Sequence, residues 1–374
     1  MFLRKLSLSN FKNYASADIE LSEKLNCFVG LNGAGKTNIL EAVYYLAFCK
    51  SCFTSADRQN IRHGESFFAI RGDVVSDTEG EFVVSCALKD EGRKVFKINK
   101  KECERLSDHI GRIPLVMISP YDSDLINGGS DLRRKFIDGV ISQFDSAYLD
   151  SLLRYNKALV QRNTLLKYFY DNHTYDNDSL TVWDGQLVMY ASRLYEKRRD
   201  FVKDFVPLFQ RYYNMVSGTG EVVGIAYESQ LHEKDMGRLL DENRDKDRFS
   251  TYTTSGIHKD DLVFNIDGYP VRKFGSQGQQ KSFVVAVKLA QFDFNYNKIG
   301  YKPLLLLDDI FDKLDEQRVR QLVRLVGEDH FGQVFITDTQ RLRVDSLFDN
   351  ISVGHCVFEV ENGTIKVGSI NSPK

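Results

Sequence analysis

Residues 30–37 read Gly30-Leu31-Asn32-Gly33-Ala34-Gly35-Lys36-Thr37 and satisfy the pattern G-x-x-x-x-G-K-[ST] in full. Glycines at these positions let backbone N–H groups turn inward around phosphate oxygens. Lys36 supplies a point charge for the outer phosphates, and Thr37 supplies a hydroxyl ligand for Mg²⁺. The chemistry is that of ATP, with Gly30, Asn32, Gly33, Gly35, Lys36, Thr37 and Asn38 as candidate contacts. A second element, Leu304-Leu305-Leu306-Leu307-Asp308-Asp309, is an apolar run ending in two carboxylates. Asp308 suits a metal ligand alongside Thr37, and Asp309 suits a group that polarises an attacking water. Both are candidate catalytic residues. A third element, Ser276-Gln277-Gly278-Gln279, precedes Asp308 by 308 − 276 = 32 residues. It offers hydroxyl, amide and backbone N–H donors without negative charge, which suits a second phosphate-bearing surface.

These residues need elements to hold them. Leu25–Val29 reads as a strand feeding the glycine turn, and Asn38–Phe48 as a helix leaving it, so the turn meets phosphate at a helix N-terminus. Further strands are expected at Leu3–Leu8, Ile19–Leu21, Phe67–Val75, Glu81–Leu88, Lys94–Ile98 and Leu115–Ile118. The character then becomes helical. Leu132–Val140, Ala147–Tyr170 and Val182–Met215 have helical spacing, with Leu149, Leu152, Leu153, Leu159, Leu165 and Leu166 forming the apolar face of the second. Pro207 is expected to kink or end the third. The charge run Asp241–Arg248 reads as a solvated loop, with a partner contact as the alternative. Strands return at Leu262–Ile266, Pro303–Leu307 and Gln333–Thr337, with helices opening at Gly275–Lys281 and spanning Glu316–Val326. A hairpin at Cys356–Glu361 and Thr364–Val367 turns on Asn362-Gly363. The fold class is α/β: a P-loop head made of residues 1–120 and 250–374, with an inserted α-helical arm at 121–249.

The composition agrees with an ordinary globular protein. Of 374 residues, 42% are hydrophobic and 27% charged, with a net charge of −2, which excludes a histone-like polycation but not a local basic patch. No apolar run is long enough for a membrane span, so no membrane partner is expected. Six cysteines without a dense framework point to a reduced, cytoplasmic setting.

The three elements, in this order and spacing, resemble ABC-type ATPase heads of the SMC class. The flanking residues resemble the bacterial RecF recombination-mediator family. The similarity rests on Asn10-Phe11-Lys12-Asn13-Tyr14, Thr37–Leu46, Ser119-Pro120 with Arg133–Asp138, Val182-Trp183-Asp184, His258–Leu262 and Asp308–Asp315. Tyr121, Ile257 and Cys52-Phe53 depart from the usual residues. The resemblance implies a homodimer that closes on ATP. Ser276, Gln277, Gly278 and Gln279 of one copy would cap the nucleotide of the other, and Asp315 would cross the interface. It implies slow, DNA-stimulated hydrolysis, in keeping with Thr337-Asp338-Thr339 where transporters carry a switch histidine. It also implies binding to double-stranded and gapped DNA, and work with RecO and RecR to load RecA in gap repair, replication restart and the SOS response.

Weaker signals accompany these. Lys94, Lys97, Lys100, Lys101, Arg133 and Arg134 are candidate DNA contacts, against a bland reading as solvated or internally paired charges. Arg154, Lys157, Arg162, Lys197, Arg198 and Arg199 on the arm are similar. Cys49-Lys50-Ser51-Cys52 fits C-x-x-C but reads as structural thiols before a redox-sensitive pair or a metal site, and His258 as a structural hydrogen-bonding residue before a sensor of the nucleotide or dimer state. Two other classes share the ATP motifs: the ATPase subunit of a membrane transporter, and a clamp that binds ATP with scarce turnover.

Overall fold

The computed structural model describes residues 1–310, 330–348 and 354–371. The chain divides into two compact units. Met1–Asp122, Met215–Gly218 and Val285–Lys374 form the first, and Ser123–Asn214 with Thr219–Val284 the second. The second unit thus runs past residue 249, the arm limit drawn from sequence. The chain begins with β1 (Phe2–Phe11), β2 (Tyr14–Glu20), β3 (Leu25–Val29), helix α1 (Lys36–Phe48), β4 (Phe67–Ser76), β5 (Gly80–Lys89), β6 (Val95–Ile98), β7 (Lys101–Glu102) and β8 (Leu115–Ile118). Then come α2 (Ser130–Ile141), α3 (Ser146–Asp171), α4 (Asn177–Ser217), β9 (Val223–Glu228), β10 (Asp261–Ile266), β11 (Tyr269–Pro270) and α5 (Gln277–Ile299). The close is β12 (Leu304–Leu307), β13 (Val334–Asp338), α6 (Arg341–Phe348), β14 (His355–Glu361) and β15 (Thr364–Asn371).

Two sheets build the first unit. One is antiparallel, in the order β2-β1-β4-β5-β6-β7. The other runs β15-β14-β3-β13-β12-β8, parallel except at the β15 edge. Strands β3, β12 and β13 are buried at every position. Their unbroken apolar stretches are what a parallel strand covered on both faces requires. Helix α1 joins both sheets in one core. Its Ile39, Leu40, Val43 and Leu46 belong to the same cluster as Leu6, Phe68 and Val84 of one sheet and Leu115, Leu306 and Phe335 of the other. Parallel pairing brings the carboxyl ends of β3, β13 and β12 to a single edge, where ligand sites of such sheets form. The Asn362-Gly363 turn has φ of 46° and 76°, the left-handed pair that this dipeptide accommodates.

The second unit packs α2, α3 and most of α4 with a small antiparallel sheet ordered β11-β10-β9. The buried stripe of α3 is Tyr148, Ser151, Tyr155, Ala158, Arg162, Leu166 and Phe169. Of the leucine face expected from sequence, Leu166 is in this stripe, Leu149, Leu152, Leu159 and Leu165 are half-buried, and Leu153 is exposed. Helix α4 continues through Pro207 for 41 residues instead of ending there. Phe205, Phe209 and Tyr212, buried around it, offset the one lost backbone bond. The Asp241–Arg248 run is no solvated loop. It lies in two short helices, Met236–Glu242 and Arg244–Ser250, with Asp247 wholly buried. The reason is Arg162, whose Nη1 donates to Asp247 Oδ2 at 2.6 Å and whose Nε donates to Asp184 Oδ1 at 2.6 Å. Arg198 is likewise buried, against Asp138 and Asp260. The helix expected at Glu316–Val326, and Asp315, lie outside the described residues.

Candidate functional site

The glycine turn leaves β3 at Val29 and enters α1 at Lys36. Gly33 and Gly35 have φ of 82° and 116°, conformations that L side chains resist. A Cβ on Gly35 would stand 2.4 Å from the Asn13 side chain. Gly35 is the N-cap of α1, and no side chain caps the helix; the Asn38 N–H donates to the Gly35 carbonyl at 3.0 Å, and the Lys36 and Thr37 N–H groups are left to an external acceptor. Lys36 Nζ folds back to donate to the carbonyls of Gly30 at 2.8 Å and Leu31 at 3.1 Å.

The β1–β2 turn braces this loop from behind. Asn13 Nδ2 donates to the Ala34 carbonyl at 2.9 Å, and the Tyr14 hydroxyl to the Gly35 carbonyl at 3.1 Å. Asn38 Nδ2 donates to Asn13 Oδ1 at 2.8 Å, so Asn38 orients the brace. Gly363, in the β14–β15 turn, donates its N–H to the Ala34 carbonyl at 3.1 Å. A Cβ there would stand 2.4 Å from the Asn13 carbonyl oxygen. Asn13, Tyr14 and Gly363 were not site candidates from the sequence; Gly363 was expected only as a hairpin turn residue. The Asn10–Tyr14 motif was the available signal for the first two.

Thr37 and Asp308, 271 residues apart, meet: the Thr37 hydroxyl donates to Asp308 Oδ1 at 2.9 Å. The residue that joins them to Asp309 is Thr337. Its hydroxyl donates to the same Asp308 oxygen at 2.8 Å and accepts the Asp309 backbone N–H at 2.8 Å. The strand order explains this, because β13 lies between β3 and β12. Sequence had noted Thr337 only for the histidine it replaces. Burial raises the Asp308 carboxyl above the ordinary range, and the two threonine hydroxyls and Lys36 partly offset that. Asp309 sits at φ 42°, with Oδ1 buried and unpartnered among the described residues. Two oxygen donors, one of them a costly buried carboxylate, are a donor set that fits Mg²⁺.

Ser276, Gln277, Gly278 and Gln279 belong to the second unit. They form a capping box at the start of α5. Gln279 N–H donates to Ser276 Oγ at 3.2 Å, and Ser276 N–H donates to Gln279 Oε1 at 2.7 Å. Ser276 and Gln277 are exposed, and Gly278 and Gln279 partly so.

The basic candidates separate into two groups. Lys94 is held inside, donating to Asp57 Oδ2 at 2.6 Å and to the Cys49 carbonyl at 2.8 Å. Arg133 is buried and pairs with both oxygens of Asp261 at 2.7 and 2.9 Å. Arg134 donates to the Asp260 carbonyl at 2.6 Å. On the arm, Arg162 and Arg198 are internal, while Arg154, Lys197 and Arg199 pair with Asp150, Asp145 and Asp200. Lys97, Lys100 and Lys101 are exposed around the Asn99-Lys100 turn. All six cysteines are free thiols. His258 is partly buried: its Nε2 meets the Thr253 carbonyl at 3.0 Å, and its Nδ1 the Tyr155 hydroxyl at 2.8 Å. Among the described residues, no helix is long and apolar enough to cross a membrane.

Residues 2–366 match the family described as RecF/RecN/SMC N terminal domain. The DNA replication and repair protein RecF of Flavobacterium johnsoniae is 51% identical over 96% of this chain and 100% of its own length. That of Phocaeicola vulgatus is 49% identical over 98% of each. A solved structure of the recombination mediator protein RecF with ATP, in the RecFOR pathway, superposes with a TM-score of 0.89 at 28% identity over 98% of each chain. The Smc head domain of Pyrococcus furiosus shares the fold, with a TM-score of 0.60 at 17% identity. The fold is that of an SMC-type ATPase head.

Proposed function

We propose a function from one premise: the chain belongs to the RecF family of DNA replication and repair proteins. It acts as an ATP-dependent recombination mediator on DNA. ATP closes two copies into a dimer that holds duplex and gapped DNA. With RecO and RecR the dimer promotes RecA loading in gap repair, replication restart and the SOS response. The setting is cytoplasmic. Family membership sets aside the transporter alternative. The observation that carries the ATP switch is the Thr37–Asp308–Thr337 joint beside an uncapped helix N-terminus.

The chain's own groups divide the work. The N–H groups of the glycine turn and of the first turn of α1 receive the phosphates. Lys36 exchanges its two carbonyl partners for phosphate oxygens. Thr37 and Asp308 are the residues that would hold Mg²⁺. Bound there, the ion would supply positive charge to offset that of the phosphates. Asp309 orients water for attack on the γ-phosphorus and takes up its proton as the bond to ADP breaks. Ser276 and Gln279 of a second copy donate to the γ-phosphate. Loss of the γ-phosphate removes the joint between copies, so slow, DNA-stimulated hydrolysis times release.

The test is fluorescence anisotropy of labelled duplex, gapped and single-stranded DNA, with and without ATP and Mg²⁺, across a salt series. Duplex or gap binding that requires ATP and weakens steeply with salt is expected. Lys36→Arg should abolish dimerisation, and Asp309→Asn should prolong it. Absence of DNA binding in every nucleotide state would overturn the proposal.

A further inference from the structure

The exposed signature turn depends on a partner outside its own motif. Gln279 Nε2 donates to Glu221 Oε1 at 2.7 Å. The other carboxylate oxygen of Glu221 accepts the Tyr213 hydroxyl at 2.6 Å and the Thr219 hydroxyl at 2.9 Å. These hydrogen bonds, with Tyr213 the largest contributor, hold the Glu221 carboxyl below its ordinary range, so it is ionised at neutral pH. Tyr213 is fully buried, and its ring lies edge-on to Phe283 of α5. Glu221 is therefore fixed to the same core that fixes the signature helix.

The consequence is an orientational lock. The side-chain amide of Gln279 faces two partners of opposite kind. The Ser276 backbone N–H can only donate, so it requires Oε1. The Glu221 carboxylate can only accept, so it requires Nε2. Neither end can be exchanged, and the amide cannot flip. With one Nε2 hydrogen spent on Glu221, the second remains for an outside acceptor. Ser276 Oγ accepts from Gln279 N–H and keeps its own hydrogen as a donor. The turn thus presents a preset pair of donors.

We infer that Glu221 is a positioning residue for the signature turn, fixing the donors of Gln279 and Ser276 for the γ-phosphate held by a second copy. The inference rests on the trans-acting role given to Ser276 and Gln279 above. Without Glu221, the amide keeps only the Ser276 N–H as an anchor, and its Nε2 donor must be ordered at the moment the dimer forms. Such a loss is worth about tenfold per turn. A two-fold dimer contains two such turns, so the dimer should weaken roughly a hundredfold.

The experiment is sedimentation analysis of dimerisation with a non-hydrolysable ATP analogue, alongside binding of a fluorescent ATP analogue to the monomer. Glu221→Ala should weaken the dimer about a hundredfold while monomer nucleotide affinity stays within about twofold. Glu221→Gln should recover most of the loss, because its Oε1 accepts from Gln279 and its amide donates to the hydroxyls of Tyr213 and Thr219. Glu221→Met serves the same purpose if the alanine protein does not fold. Wild-type dimerisation by Glu221→Ala, with Gln279→Ala defective, would sink this inference and leave the trans reading standing. Wild-type dimerisation by Gln279→Ala would sink both. Equal defects in Glu221→Gln and Glu221→Ala, or loss of monomer nucleotide binding, would reduce Glu221 to a general structural role and overturn the inference.

Discussion

Replacing Thr337 by Val should uncouple the two carboxylates of the site. The substitution keeps the shape and removes one hydroxyl, and that hydroxyl makes two hydrogen bonds. It donates to Asp308 Oδ1 at 2.8 Å and accepts the Asp309 N–H at 2.8 Å, from a side chain that is wholly buried. Loss of the bond to an ionised acceptor costs about 1.5–3 kcal/mol. Leaving a buried N–H unpaired costs about 1–3 kcal/mol. The two share one atom and do not simply add, so roughly 2–4 kcal/mol is expected. At a urea slope of about 3 kcal/mol/M, the midpoint of the first unit falls by about 1 M. Hydrogen exchange of β12 and β13 amides against urea follows that unit. The single tryptophan, Trp183, lies in the second unit, so its fluorescence transition should stay in place. Thr337→Ser keeps the hydroxyl and should retain most of the stability. Hydrolysis should fall in the valine protein more than ATP affinity does, because Asp309, at φ 42°, loses its backbone anchor. A valine midpoint equal to wild type, or a serine protein as unstable as the valine one, would refute the reasoning.

Other expectations follow from the same geometry. Burial raises the Asp308 carboxyl above the ordinary carboxylate range, so its ionised form costs stability at neutral pH, and the cost fades as the pH falls. Asp308→Asn should therefore melt higher than wild type without nucleotide, yet lose the Mg²⁺-dependent part of stabilisation by ATP; a lower nucleotide-free melting temperature would contradict this. If Lys97, Lys100 and Lys101 meet DNA phosphates, converting all three to Gln should flatten the salt slope of duplex binding by about 0.9 per lost contact. Lys94→Gln should instead lower thermal stability, since Lys94 is paired with Asp57; an unchanged melting temperature with a changed salt slope would reverse that assignment. Burial lowers His258 from 6.5 to about 4. The unfolded chain then takes up the proton first as the pH falls below about 6.5, and stability drops until about pH 4, by up to about 3 kcal/mol. His258→Gln should flatten that acid limb in Trp183-monitored unfolding, and an identical limb would argue against His258 as its source.

Some of this protein was readable because the information is local. The glycine turn needs only eight neighbouring residues, and the conformations of Gly33 and Gly35 follow from their lack of a side chain. The apolar stretches of β3 and β12 are buried on both faces, as their composition requires. The Asn362-Gly363 hairpin is another local case. The arm was harder. Helical period located α3 and α4, but of the six leucines expected to form the buried face of α3 only Leu166 is in it, beside Tyr155, Ala158 and Arg162. A buried arginine looks like an exposed one until its partners are known, and Asp184 and Asp247 come from 22 and 85 residues away.

The same limit governs the site. The glycine turn, the carboxylate pair Asp308-Asp309 and the Ser276–Gln279 turn could be picked out from the residues alone, because each is a short stretch whose backbone chemistry is set by adjacent residues. Only the tertiary structure decided that Thr337 would join Asp308 to Asp309, that Asn13 and Gly363 would brace the glycine turn, and that Lys94 and Arg133 would be spent on internal pairs. Those outcomes depend on strand order and on which charges are taken out of water together. Such relations hold between residues far apart in the chain and leave no local pattern to read.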